Sequence, residues 1–170
     1  MEAARRRLAP RARGLPVLQQ RLGGVRDPER ALDGEAVRGL GAADRVLVVE
    51  RLANAIDALP PGRHTFEFRH QSWFVEDVYE LLREKGVALT VGDHPSRPFQ
   101  SYEFTADWTF VRFHYGHRGR RGNYSIAELE EWARRLEEWR RQVEVLVYFN
   151  NDWEEFAIRN GVWLKRRLGV

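Results

Sequence analysis

From Thr65 onward, short apolar or aromatic runs alternate with segments of helical spacing, and this alternation restricts the fold more than any other feature. Thr65-Phe66-Glu67-Phe68-Arg69-His70 alternates apolar and polar side chains as a half-buried strand does. Ser72 is placed to cap a following helix with Val75, Val78, Tyr79 and Leu82 on its apolar face, and Gly86 suits its end. Val87 to Val91 reads as a second strand running into Gly92-Asp93-His94-Pro95, and Thr109 to His114 as a third. Ser125 and Glu128 form a capping box that opens a helix with Leu129, Trp132, Ala133 and Leu136 on one face. Val143 to Phe149 is a fourth strand, ending at Asn150-Asn151-Asp152. Asp152 and Glu155 have capping-box spacing ahead of a last helix carrying Phe156, Ala157, Ile158 and Leu164. Strands alternating with helices predict βα units and a parallel sheet, the α/β class. Neither the GxGxxG nor the GxxxxGK[ST] pattern occurs, which removes the dinucleotide and phosphate-loop fingerprints.

The preceding residues differ in kind. All 20 aromatic residues lie between Phe66 and Trp163. Residues 1–45 hold ten arginines against six acids, so the formal charge of +3 originates there, while residues 46–170 are nearly neutral. Nine glycines and prolines between Pro10 and Gly41 interrupt any long helix. Val46-Leu47-Val48-Val49 reads as a short buried strand, and Leu52, Ile56 and Leu59 as a helix stopped by Pro60-Pro61-Gly62. The expected organisation is a weakly ordered Arg/Ala/Gly-rich segment over 1–43 and a globular part over 44–170. A nucleic-acid-binding arm would use interleaved aromatics, which the N-terminal arginines lack, so nucleic acid is an unlikely partner.

Composition excludes several function classes. The chain has no cysteine, hence no disulfide scaffold, thiolate metal site or cysteine nucleophile. No apolar run reaches membrane-spanning length, and no apolar stretch follows the basic start Met1 to Arg7. A cytoplasmic protein with no membrane partner is expected.

The polar chemistry gathers where strands end, the side on which parallel sheets bind ligands. Glu67 and Arg69 share one face of their strand, Arg112 and His114 one face of theirs, with Phe66, Phe68 and Phe113 opposite. Arginine suits bidentate binding of a carboxylate or phosphate, so Glu67, Arg69 and Arg112 point to a pocket for a small polar or anionic ligand. A structural ion-pair network is the alternative for the same three residues. His114 is a candidate proton donor or acceptor, or a satisfied structural histidine. His70 either joins the pocket or supports the turn at Gln71-Ser72. Asp93 joins as a candidate ligand contact; with His94 it lacks the HxH or HExxH spacing of a metal site, and no metal is assigned. Asn150 and Asn151 either bond a ligand or shape their loop. Tyr124, just ahead of the capping box, is placed to lean over the pocket. Trp73, Trp132, Trp139 and Trp163 fall at helical positions and read as packing.

These residues also carry a family likeness. Phe66-Glu67-Phe68-Arg69-His70-Gln71-Ser72-Trp73-Phe74 resembles the signature of the YecE-like family, also called domain of unknown function 72. In order, Thr105-Ala106-Asp107 with Val111-Arg112-Phe113-His114 resembles its arginine–histidine strand. Tyr124-Ser125 with Leu129 and Trp132-Ala133 is similar to its next helix start, and Tyr148 to Asp152 with Ala157 and Asn160 to its terminal motif. Tyr115 stands where the family usually has glycine. The resemblance implies an eight-stranded βα barrel with no established activity. Such a barrel typically takes about 250 residues, more than this chain has. The family's glycine-rich, glutamate–asparagine, lysine-bearing and glutamine-leucine-proline strands have no counterpart in residues 1–45, and Val46 to Val49 would be a remnant of the fourth strand. The expected architecture is therefore a partial, TIM-type βα barrel of about four parallel strands behind an irregular N-terminal segment. A displaced start site, a frameshift or a gene fragment would each produce that pattern. An incomplete barrel would expose sheet edges and favour self-association. Neither a reaction nor a cofactor is assignable from the sequence.

Overall fold

The computed structural model describes residues 41–96 and 100–170 of the protein. The weakly ordered segment and nucleic-acid-binding arm expected over residues 1–43 lie outside the described residues as far as residue 40, and Ala42 already begins a helix.

The first element is helix α1, Ala42–Asp57. It contains Val46 to Val49, so the expected strand, and with it the remnant of a fourth barrel strand, is corrected to helix. The reason is visible in the burial. Val48, Leu52 and Ile56 are the buried stripe, four residues apart, whereas Val46 and Leu47 face solvent. The four-residue run is thus the start of a 3.6-residue period rather than a piece of a two-residue one.

Strand β1 is only Thr65–Phe66. The expected strand through His70 is cut short because Phe68 turns inward. Its ring stacks on Trp73 at 4.9 Å and meets Phe74 edge-on at 6.4 Å. That contact folds the chain into a 3-10 turn, Gln71–Trp73, in which the Ser72 backbone N–H donates to His70 Nδ1 at 3.3 Å. Ser72 is therefore buried in this turn and does not cap the next helix. Helix α2, Glu76–Glu84, has Val75 at its N-cap without a side-chain bond, and Glu76 and Asp77 in its first turn complement the helix dipole instead. Gly86, at φ +63°, ends it as expected.

Strands β2 (Ala88–Asp93), β3 (Trp108–Phe113) and β4 (Glu144–Phe149) complete a four-stranded sheet in the order β1-β2-β3-β4. Every neighbouring pair is parallel. The register sets Gly92 beside Arg112 and Asp93 beside Phe113, then Arg112 beside Tyr148 and Phe113 beside Phe149. Helix α3, Ile126–Trp139, follows β3, and α4, Phe156–Leu168, follows β4. The capping box forms as read: the Glu128 backbone N–H donates to Ser125 Oγ, and the Ser125 backbone N–H to Glu128 Oε2.

The second capping box does not form. Glu154 and Glu155 adopt left-handed conformations, φ 51° and 61°, inside the 3-10 turn Trp153–Glu155, and no side chain caps α4. The Ala157 N–H donates to the Asn151 carbonyl instead. The stripe that α4 buries is Phe156, Asn160 and Leu164, spaced by four, and Ile158 is solvent-exposed.

The core lies on the side of the sheet covered by α3 and α4. Phe113, fully buried, meets Trp132 at 4.9 Å, Tyr124 at 5.1 Å and Phe149 at 4.6 Å. The opposite face is open: Phe110 stacks on Tyr148 at 6.3 Å, and Tyr148 is 49% exposed. A half-covered parallel sheet is the architecture of a partial βα barrel, whose inner face is this open one.

Candidate functional site

Because successive strand residues point to opposite faces, Arg112 lies on the open face, opposite Phe113. Its Nη1 donates to Glu67 Oε2 at 2.5 Å, and its Nε donates to Asn150 Oδ1 at 2.9 Å. His114 Nε2 lies 2.9 Å from Glu67 Oε1. An ionised carboxylate only accepts, so this nitrogen is the donor. Four side chains from the ends of β1, β3 and β4 thereby close one network. The backbone holds the same ends together: the His114 N–H donates to the Asp93 carbonyl at 3.1 Å and the Asn150 N–H to the Phe113 carbonyl at 2.7 Å.

The Glu67, Arg112 and His114 side chains are only 12–15% exposed. Burial works to raise the Glu67 pKa, but the hydrogen bonds and charges of His114 and Arg112 outweigh it and hold the carboxyl at about 2. Glu67 is therefore an anion throughout the physiological range. Arg112 has two of its nitrogens engaged by these partners.

The other expected site residues are distributed differently. Arg69 is exposed and makes no ion pair or hydrogen bond among the described residues. The strand ends at Phe66, so Arg69 is not on a strand face. His70 supports the turn, its Nδ1 accepting from Ser72. Asp93 does not join the network through its side chain. It shares the face of Phe113, on the helix side, where Oδ2 accepts from Trp132 Nε1 at 3.0 Å and Oδ1 lies 3.0 Å from His117 Nε2. Tyr124 does not lean over the open face. It is buried edge-on to Phe113, its hydroxyl 3.4 Å from the Asp93 carbonyl, and burial together with the Asp93 charge raises its pKa far above the usual phenol value. Asn150 joins the network, while Asn151 is buried and shapes its loop, Nδ2 donating to the Gly122 carbonyl.

Residue-by-residue reading missed His117, Gln100 and Glu128. Glu128 is a buried carboxylate that accepts from the backbone N–H groups of His117 and Arg118 and from both backbone and hydroxyl of Ser125. Burial opposes its charge, and these donors hold it below the usual carboxylate range. It anchors the loop between β3 and α3 that carries His117. This loop needs its glycines: a Cβ on Gly119 would fall 1.6 Å from the Asn123 carbonyl oxygen. The only sequence signal for Glu128 was its capping-box position, and His117 had none, since loops lack periodicity. Among the described residues, no group of three His, Asp or Glu side chains is arranged to hold a metal. No helix among them is long and apolar enough to cross a membrane.

A family model described as "Protein of unknown function DUF72" matches residues 42–170, three-quarters of the chain. The chain belongs to the DUF72 family. Among solved structures, a DUF72 family protein from Thermotoga maritima is 32% identical with a TM-score of 0.64, over 72% of this chain and 52% of that one. Two structures of a DUF72 family protein from Enterococcus faecalis match at 20% and 21% identity with TM-scores of 0.59 and 0.58. Each covers 76% of this chain, and 55% and 57% of theirs. At that identity the second pair shows the fold alone. The DUF72 chain described here spans a little over half the length of these solved relatives. No curated protein matches it. The YecE-like resemblance read from motifs between Phe66 and Asn160 names this same family, and its TIM-barrel-like members identify the four-stranded sheet as part of such a barrel.

Proposed function

We propose that this DUF72 chain, as the C-terminal half of a βα barrel over residues 44–170, binds a small anionic or polar ligand at the carboxyl ends of its strands, in the cytoplasm. The carrying observation is the Glu67–Arg112–His114–Asn150 network on the open face, at the end of the sheet where parallel βα folds place ligands. Charges withdrawn from water on a sheet face are costly, and a binding site is one reason to keep them. Glu67, Arg69 and Arg112 together leave one positive charge in excess, which favours an anion. Arg69, two residues after Glu67, is an accessible guanidinium of the kind that complements carboxylate or phosphate oxygens. No reaction is assigned, since the network offers no nucleophile.

Thermal denaturation with inorganic phosphate, citrate and glucose tests the reading on wild type, Arg69→Ala and Arg112→Ala. An anion-dependent rise in Tm that is lost in both variants is expected. No shift in wild type, or equal shifts in all three proteins, would overturn it.

A second reading concerns assembly. The outer edge of β4 has no strand partner among the described residues, and Tyr148 and Val147 are exposed on it. Such an edge favours self-association through the sheet. Light scattering that returns a monodisperse, stable monomer would refute it.

A further inference from the structure

We propose that the ligand of the strand-end site is a small aromatic monocarboxylate, its carboxylate held by Arg112 and Asn150 and its ring laid on Tyr148. This rests on the anion-site reading and adds to it the class of ligand and the side chain that selects it.

The network leaves two donors over. Glu67 takes Arg112 Nη1 and Asn150 takes Nε, so Nη2 has no partner among the described residues. A guanidinium stays charged and only donates, so Nη2 offers its N–H groups at any physiological pH. Because Arg112 only donates, the Asn150 atom that meets it is Oδ1, and the Nδ2 amino group is the end left over. Nδ2 also has no partner among the described residues. Neither nitrogen is sealed from solvent, unlike the buried amide nitrogen of Gln100. Two donor groups joined by one hydrogen bond suit an acceptor with two oxygens, as a carboxylate has. Glu67 already offsets the charge of Arg112, and Arg69 is the cation that remains near it. One negative charge is therefore matched and a second is not.

Aromatic surface lies on the same face of the sheet. Arg112 is paired with Tyr148 in the register of β3 and β4, so both side chains point to the open face. Neighbouring strands lie about 4.8 Å apart, a reach that a carboxylate bonded directly to a six-membered ring can span. Phe110, two residues before Arg112, shares the face and stacks on Tyr148 at 6.3 Å with the rings inclined by 23°. Phe110 thus steadies the Tyr148 ring, while Tyr148 is 49% exposed and presents surface for a further planar ring to stack on. An aliphatic acid meets the same donors but leaves that surface bare.

Benzoate is the probe, with acetate as the anion without a ring and benzyl alcohol as the ring without an anion. Each is titrated into ¹⁵N-labelled protein at neutral pH, with the Asn150 side-chain amide as the signal. Benzoate should shift it saturably and bind about fivefold tighter than acetate, the worth of one aromatic contact. Benzyl alcohol should bind more weakly than benzoate. Tyr148→Phe should retain the benzoate affinity, and Tyr148→Leu should lose the fivefold while leaving acetate unchanged. Tyr148 is half exposed, so both variants keep the fold. Equal affinity for acetate and benzoate, or no effect of Tyr148→Leu, would overturn the aromatic ligand and leave the anion reading standing. Benzyl alcohol as tight as benzoate would overturn the anchoring by Arg112 and Asn150. No saturable shift with either anion would overturn the proposal together with the reading beneath it.

Discussion

Arg112 of β3 reaches across β2 to donate to Glu67, beyond the end of β1, and the residue it passes over is Gly92. Two strands that are not neighbours in the sheet are tied by one ion pair because the strand between them presents no side chain there. A Cβ on Gly92 would lie 3.7 Å from Glu67 Oε1 and 3.2 Å from Gln100 Nε2.

Gly92→Val should therefore separate the pair. The added methyls enter the space shared by Glu67, Arg112 and Gln100. Urea denaturation should show a loss of about 2 kcal/mol, in the range of an overpacked buried site, and Gly92→Ala a smaller one. A Gly92→Val protein as stable as wild type would show that the crossing has room to spare.

Removing one partner of the pair should cost more than removing both. Glu67→Gln leaves Arg112 buried without its counter-charge, at a cost of about 3 kcal/mol. The double variant Glu67→Gln, Arg112→Met, with no charge left in the pair, should be more stable than Glu67→Gln alone. A double-mutant cycle by denaturant unfolding measures this, and strictly additive losses would mean the two side chains do not interact.

Acid should weaken the protein through Glu67. Its carboxyl titrates at about 2 in the folded chain against 4.5 for the free group, so the unfolded state binds more protons over that interval. The contribution is complete above pH 4.5 and disappears as pH falls through the folded value. It amounts to about 3 kcal/mol from this group. Unfolding free energies at pH 6, 4 and 3 should fall more steeply for wild type than for Glu67→Gln, which has nothing to titrate there. Parallel slopes would remove Glu67 as the source.

Glu128→Ala should release the loop after β3. It deletes the acceptor of the His117, Arg118 and Ser125 N–H groups at once. A loss of about 2–3 kcal/mol is expected from the orphaned donors and the lost cap. Hydrogen exchange at His117 and Arg118 should accelerate. Unchanged protection there would place the anchor elsewhere.

What the sequence made legible follows from where periodicity holds. The β2, β3 and β4 runs, the α3 capping box and the Gly86 stop were readable because each is decided within a few residues of itself. Arg112 and His114 were placed on one face by alternation alone, and Asn150 by its position after β4. Val46 to Val49 misled because four apolar residues fit either period, and only the burial of Val48 with Leu52 and Ile56 separates them. The face that Asp93 takes was not legible for a different reason. Its face is set by pairing with Phe113, and register between strands is a property of the sheet. His117 and Gln100 were illegible because each lies in a loop, where no periodicity operates, and they come near one another only beyond the end of β2.

Asp93 serves two purposes through two different parts of one residue. Its carbonyl accepts the His114 N–H that steadies the network, and its carboxylate holds the Trp132 indole and the His117 ring. Any amino acid supplies a carbonyl, but only an acidic side chain supplies the carboxylate. In evolutionary terms the dependence runs one way. A descendant that exchanged this aspartate for a neutral residue would forfeit the oriented imidazole while inheriting the ion-pair network intact.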